Sequence, residues 1–84
     1  MFTVYILQSE KTGRYYTGHT ADVFDRLQHH NSGATTSTRA DKPWKIIYSE
    51  EYPDKKSAWL RERQIKRYKG GGAFKKLINP GRVA

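Results

Sequence analysis

The chain has 84 residues and a formal net charge of +8, with sixteen Lys or Arg against eight Asp or Glu. This length predicts one domain, residues 1–84, and leaves no room for a second. The absence of cysteine excludes disulfides and thiolate metal sites. No apolar stretch approaches the roughly 18 residues of a membrane helix.

The same composition indicates a compartment and a class of partner. Because there is no cysteine and no signal peptide, we expect a cytoplasmic protein. The basic residues are spread through the chain and not gathered in a tail, which predicts a positive surface and a polyanionic partner. Nucleic acid is the first expectation, with acidic membrane surfaces and acidic proteins as alternatives.

The first twenty residues predict a β-hairpin. Residues 4–7 and 14–19 are runs of β-branched and aromatic residues, joined by a Gly-containing turn. Side chains alternate along a strand, so Tyr16 shares a face with Gly18, and pairing can bring the Tyr5 phenol beside that of Tyr16. Gly18 is expected to leave an open patch there for a backbone or a ligand. Two packed strand tyrosines are the alternative interpretation.

A helix is predicted over residues 20–30, with Thr20 or Asp22 as its N-cap. Arg26 and His30 are four residues apart and share a face that points along the inner edge of the domain. The apolar stripe beside them consists of Val23 and Leu27, flanked by Phe24.

A small-polar loop over residues 34–43 follows this helix. It is long for so small a domain, and its hydroxyl groups and Arg39 suit phosphate contacts. A plain connector is the alternative interpretation.

The second half of the chain predicts one strand and two helices. The strand covers residues 44–52, the main helix about residues 54–69, and a short last helix residues 73–78, followed by a frayed tail. The order is therefore β-β-α-β-α-α. It predicts an α/β (α+β) fold in which helices flank a small three-stranded antiparallel or mixed sheet.

Glu62 falls on the core stripe of the main helix, which Ala58 and Ile65 mark. A carboxylate at such a position needs a partner or a metal ion, because burying it alone is unfavourable. A salt bridge with Arg26 or with a neighbouring Lys is the alternative to a metal ligand.

Two tyrosine-containing motifs and three further residues follow the sequence pattern of a known family, so the chain resembles the GIY-YIG nucleases. The resemblance covers about residues 2–69 and points to the small stand-alone bacterial members. Those are similar to the N-terminal nuclease domain of the excision-repair endonuclease, which implies a role in DNA repair. Thr3 replaces the first glycine of the family pattern, and Asn79 is the sole candidate for its late asparagine. The matching positions are Thr3-Val4-Tyr5, Tyr16-Thr17-Gly18, Arg26, His30 and Glu62.

The resemblance implies hydrolysis of phosphodiester bonds in DNA, with single-stranded or branched DNA favoured and little sequence specificity. Glu62 would hold one Mg²⁺ or Mn²⁺ ion largely through water molecules, and the ion would stabilise charge on the phosphate. Arg26 would bind a non-bridging oxygen. Tyr5 would act as the general base with the help of His30, and Tyr16 would orient the water or the phosphate. No small-molecule cofactor beyond the metal, no membrane and no protein partner are indicated.

The identity of the general base stays open between two residues. A phenol with a pKa of about 10 is only about 0.1 % ionised at pH 7, so either the pKa of Tyr5 falls or His30 takes the proton. Tyr5 is the favoured base. Two other functions stay open, a nucleic-acid-binding module that is inactive or needs a partner, and a partner-binding adaptor. Further nucleic-acid contacts are expected from His19, Arg39, Lys42 and Lys66.

Overall fold

The computed structural model of the protein describes residues 1–36, 38–69 and 71–78. The elements follow the order β-β-α-β-α-α, with one 3-10 turn before the third strand, and this confirms the predicted fold class. The three strands are β1 (Phe2–Ser9), β2 (Tyr15–Thr20) and β3 (Trp44–Tyr52). The helices are α1 (Val23–Asn31), α2 (Lys55–Arg67) and α3 (Gly72–Ile78), and the 3-10 turn is Arg39–Asp41.

The sheet is antiparallel throughout and has the order β2-β1-β3. The hairpin register pairs Tyr5 with Gly18 and Leu7 with Tyr16. Because β1 is the central strand, it carries the buried side chains of both faces, and β2 forms an open edge next to the candidate site.

Helices cover both faces of this sheet, so alternate residues of β1 enter two different cores. Val4 and Ile6 pack on the face covered by α2 and α3, whereas Tyr5 and Leu7 pack on the face covered by α1. The first core also contains Ala58, Ile65 and Phe74, and the second contains Trp44 with Tyr16, Val23 and Leu27 against it.

Carboxylate side chains begin both long helices. Asp22 accepts a hydrogen bond of 3.0 Å from the backbone N–H of Asp25, and Asp54 accepts one of 2.7 Å from that of Ser57. These contacts satisfy N–H groups that have no partner within the helix. The predicted position of Phe24 beside the core stripe is wrong. Its side chain is 73 % exposed, because the residue after an inward-facing Val23 turns away from the sheet.

The open patch expected at Gly18 is filled by the protein itself. A Cβ atom added at Gly18 would lie 2.6 Å from the phenol oxygen of Tyr5 and 2.8 Å from its Cζ. No side chain larger than hydrogen fits there without moving the ring. Gly18 therefore allows the Tyr5 phenol to lie across β2, and the predicted approach of a ligand to an empty patch is wrong.

The loop after α1 is anchored to the core through its own backbone. The Trp44 indole N–H donates to the Thr38 carbonyl oxygen at 2.9 Å, and the Asn31 side chain bonds both the N–H and the carbonyl of Trp44. The frayed tail and Asn79 lie outside the described residues. None of the described helices is long and apolar enough to cross a membrane.

Candidate active site

Three of the predicted site residues meet on the face of the sheet that α1 covers. The ring centres of Tyr5 and Tyr16 are 6.4 Å apart, and those of Tyr16 and His30 are 4.7 Å apart. The Tyr5 hydroxyl lies 3.4 Å from Nε2 of His30. The hairpin register supplies the two phenols, and the last turn of α1 supplies the imidazole.

A buried threonine fixes the orientation of His30. Thr38 Oγ1 lies 2.8 Å from Nδ1 of His30 and donates its own hydrogen to the Thr35 carbonyl at 3.4 Å. With the Thr38 hydroxyl assigned as donor to Thr35, the Thr38 oxygen accepts from the Nδ1–H of His30. The lone pair of Nε2 is then free to accept from the Tyr5 hydroxyl.

The environment shifts the pKa values of these two groups in opposite directions. Burial raises the pKa of Tyr5 well above its usual value, and nearby Tyr16 adds to this, whereas Arg26 opposes it. Burial also lowers the pKa of His30 below 6.5, assisted by the positive charge of Arg26. At neutral pH the site therefore contains a protonated phenol and an uncharged imidazole that accepts a proton.

Arg26 lines a shallow groove of about 380 Å³ at the end of β2. Lys55 and His19 also line the groove, and the side chains of Arg26 and Lys55 make it positively charged. The guanidinium is exposed, and its field acts on the pKa of both Tyr5 and His30. The groove can therefore take an anionic group beside Arg26 and Lys55.

Glu62 lies on α2, which covers the face of the sheet opposite α1. His19 Nδ1 lies 2.5 Å from one carboxylate oxygen, and Lys66 Nζ lies 2.7 Å from the other. Burial opposes ionisation of Glu62, but the hydrogen bonds from Lys66 and His19 outweigh it and hold its pKa below the usual value. A salt bridge to a neighbouring Lys is thus present, whereas none links Arg26 to Glu62 among the described residues.

The donor set at Glu62 fits a hard cation that keeps most of its water. The carboxylate is ionised, and each oxygen has one hydrogen bond where a carboxylate accepts about four in total. Mg²⁺ commonly binds through one or two carboxylates and several waters. Within the ranges that the structure covers, no three His, Cys, Asp or Glu side chains cluster as a larger metal site.

The other predicted nucleic-acid contacts fall into two groups. Arg39 and Lys42 are exposed and lie around the turn at Gly33, where the Arg39 guanidinium donates to the Gly33 carbonyl at 3.0 Å. They lie in the same loop as Thr38. His19 and Lys66, in contrast, both bind Glu62.

Two contacts of the site are absent from the sequence-based expectations. Thr38 belongs to the loop whose hydroxyls suit phosphate, but it is buried against His30. The pairing of His19 with Glu62 joins residues 43 positions apart. Strand alternation offers a signal for it, because His19 lies on the face of β2 opposite Tyr16 and Gly18, towards α2.

Most of the chain is similar in sequence to known proteins. A family model described as the GIY-YIG catalytic domain matches residues 1–75. A UPF0213 protein of Streptococcus pneumoniae is 40 % identical over 67 residues, which cover 79 % of this chain and 67 % of that protein. A UPF0213 protein of Halobacterium salinarum is 37 % identical over 67 residues, covering 79 % and 86 % respectively.

One solved structure is also similar. The solution NMR structure of a UPF0213 protein from Bacillus halodurans aligns with 99 % of this chain and 100 % of that one, at 29 % identity and a TM-score of 0.48. The family match and the two relatives, which are each more than 30 % identical, are decisive. They confirm the resemblance carried by the tyrosine motifs: the chain belongs to the GIY-YIG catalytic domain family.

Proposed function

We propose that the protein is a divalent-metal-dependent endonuclease that hydrolyses phosphodiester bonds in DNA, with single-stranded or branched DNA favoured. One observation supports it above the others. The rings of Tyr5, Tyr16 and His30 pack together, and both the Arg26 guanidinium and the Glu62 carboxylate are close enough to influence the pKa of Tyr5. An acid–base pair, a fixed cation and a carboxylate are the groups that phosphodiester hydrolysis needs.

In this proposal Arg26 binds a non-bridging oxygen of the scissile phosphate. Its guanidinium stays charged at any working pH and offers parallel N–H donors to the phosphate. The charge that builds up on phosphate oxygens during attack is then stabilised by a group already in place.

Proton removal from the attacking water uses Tyr5 and His30 together. The Tyr5 oxygen takes a proton from water while its own hydrogen passes to Nε2 of His30, so the phenol stays neutral overall. This route suits a phenol of raised pKa hydrogen-bonded to an uncharged imidazole. It modifies the prediction of a Tyr5 phenolate, because burial disfavours the charged phenol.

Glu62 would hold Mg²⁺ or Mn²⁺, mainly through water molecules. When bound, such an ion supplies positive charge for the phosphate and the leaving oxygen. His19 and Lys66 would keep the carboxylate ionised and fix its orientation. Tyr16 packs against His30 and would orient the water or the phosphate.

A nucleic-acid-binding module without catalysis is the second candidate. It is favoured by the two hydrogen bonds that already engage the Glu62 carboxylate. On this account His19 and Lys66 would replace a metal ion and leave the fold as a basic binding surface.

A panel of substrates distinguishes the two functions. Single-stranded, duplex and branched DNA and single-stranded RNA are incubated with the protein in Mg²⁺, Mn²⁺ or EDTA. A nuclease cleaves at least the single-stranded or branched DNA in metal and none of the substrates in EDTA. Binding without cleavage under every condition would support the binding module and contradict the proposal.

A further inference from the structure

Helix α2 carries an exposed aromatic side chain next to the carboxylate of the candidate active site. Trp59 is 42 % exposed and belongs to neither core cluster. It lies three residues before Glu62, so the two side chains leave the same side of the helix with their Cβ atoms about 5–6 Å apart. A large ring is therefore open to a ligand one helical turn from Glu62.

Cationic side chains lie along α2 on both sides of this ring. The Arg63 guanidinium lies 4.8 Å from the centre of the Trp59 ring, which is a cation–π contact that holds the indole in one orientation. Helical spacing puts two lysines on the same side of α2, one turn before and two turns after the ring. The resulting row is Lys55, Trp59, Arg63 and Lys66.

The row continues the groove of the candidate active site. Lys55 lines that groove together with Arg26 and His19, and Trp59 follows Lys55 by one turn. A phosphate chain that passes Arg26 can therefore extend along α2 with cations beside it. Charge complementarity with a net charge of +8 favours a polyanionic strand as the occupant of this face.

An aromatic ring within a row of cations suits an unpaired strand and not a duplex. The cations follow the backbone of single-stranded nucleic acid while its bases stack on aromatic side chains. In a duplex the bases are already stacked on each other, so none is free to cover an external indole. The Trp59 ring therefore discriminates between single-stranded and duplex DNA, whereas the cations can bind the phosphates of either.

We propose that Trp59 stacks on an unpaired base next to the phosphate bound at Arg26, and so makes the site selective for single-stranded over duplex DNA. The inference rests on the proposed nuclease function and names the side chain that recognises its substrate. Arg63 holds the ring in place and adds a phosphate contact.

The test is equilibrium binding in EDTA of a thymidine oligonucleotide of about 12 nucleotides and of a duplex of equal length. Trp59→Ala is expected to weaken binding of the single strand by about 5-fold to 100-fold and to change duplex binding by less than about 2-fold. Trp59→Phe keeps a ring and retains most of the affinity. Leu60→Ala is the matched control, since Leu60 is also exposed on α2 but lies outside the row.

A second measurement requires no variant. Stacking quenches indole fluorescence, so the single strand should quench the emission of exposed Trp59 in the wild-type protein, whereas the duplex should not. Trp44 is only 4 % exposed, so neither DNA should quench it by direct stacking.

The outcomes separate this inference from the proposed function. Cleavage of single-stranded DNA by the wild-type protein, with unchanged binding by Trp59→Ala, overturns the stacking inference alone. Equal weakening of both DNA forms also overturns it, and so does a dimer that Trp59→Ala dissociates, because the face would then belong to a second copy of the chain. A wild-type protein that binds neither DNA overturns both proposals.

Discussion

The acid–base chemistry of this site depends on which of two buried side chains takes a proton. The Tyr5 hydroxyl faces Nε2 of His30 at 3.4 Å, and Thr38 holds the opposite ring nitrogen. Burial keeps the phenol protonated and the imidazole uncharged. In the proposed function the pair would therefore work as a relay, in which neither group acts alone.

The relay predicts that both residues matter about equally. Tyr5→Phe removes the oxygen but keeps the packed ring, and His30→Ala removes the final acceptor, so each should lower the single-turnover cleavage rate by about 100-fold or more. A phenolate base would instead make His30→Ala much the milder change. A Tyr5→Phe enzyme with a near wild-type rate would return Tyr5 to the role of a packed strand tyrosine.

The pH profile gives the same prediction independently. The pKa of His30 lies below 6.5 in the folded protein, so the uncharged imidazole is the main form above that value. The wild-type cleavage rate should therefore rise only in the acidic range, as the imidazole loses its proton, and stay level through neutral and alkaline pH. A rate that keeps climbing well above neutrality would indicate ionisation of a phenol and contradict the relay.

At the scale of whole elements, a polar cluster on the other side of the sheet joins β3 to α2. Glu50 on β3 accepts two hydrogen bonds from Arg61 on α2, at 2.9 and 3.0 Å, and one of 2.7 Å from the Tyr52 hydroxyl. Tyr48 donates to the same carboxylate. Burial opposes ionisation, but these bonds lower the pKa of Glu50 to about 2. The cluster thereby fixes the helix that carries Glu62 and Trp59.

Glu50→Gln should destabilise the fold measurably. The change removes the charge from a mostly buried, hydrogen-bonded pair, so the free energy of unfolding at pH 7 should fall by about 1–3 kcal/mol in urea denaturation. Glu51→Gln, on the exposed neighbour, is the control and should change it by less than about 0.5 kcal/mol.

The same group predicts the direction of acid destabilisation. Because the folded pKa is depressed, the stabilisation by Glu50 is complete above the unfolded value of about 4.5 and is lost as pH falls through about 2. The difference in stability between wild type and Glu50→Gln should therefore shrink across that interval. A difference that does not depend on pH would show that the charge of Glu50 is not what stabilises the fold.

The elements themselves are largely predictable from local signals, whereas contacts between layers are not. Turn glycines, helix caps and strand alternation predict the hairpin, an N-cap at Thr20 or Asp22, and the buried face of α2, and the structure has Asp22 as the cap. Sequence spacing does not show that the Tyr5 ring crosses Gly18, nor that His19 reaches Glu62. The first depends on the hairpin register, which pairs Tyr5 with Gly18. The second depends on how α2 lies over the sheet, and strand alternation indicates only that His19 faces α2.

At the scale of the whole molecule, the net charge of +8 favours electrostatic attraction to a polyanionic partner. Lys55 begins the row of cations on α2 and shares the groove with Arg26 of α1. Arg39 and Lys42 lie in the loop beside His30. Electrostatic attraction should therefore supply much of the affinity.

Binding of single-stranded DNA should weaken steeply as salt increases. Each phosphate neutralised by Lys or Arg contributes about −0.7 to the slope of log K against log salt. Titrations of an oligonucleotide across a range of NaCl concentrations measure that slope, and an oligomer with an uncharged backbone is the control. A slope near zero for the charged strand would contradict nucleic acid as the partner of this surface.

The proposed function is tested most directly at Glu62, the carboxylate of the candidate active site. The measurement is single-turnover cleavage of a single-stranded oligonucleotide in Mg²⁺ by wild type, Glu62→Gln and Glu51→Gln, with binding measured in parallel. We predict that Glu62→Gln lowers the rate by at least about 100-fold while binding stays equal or becomes tighter, because a negative charge has been removed. Glu51→Gln should cleave normally, and EDTA should abolish cleavage by wild type. Near wild-type cleavage by Glu62→Gln, or cleavage by wild type in excess EDTA, would contradict a metal-dependent nuclease centred on Glu62.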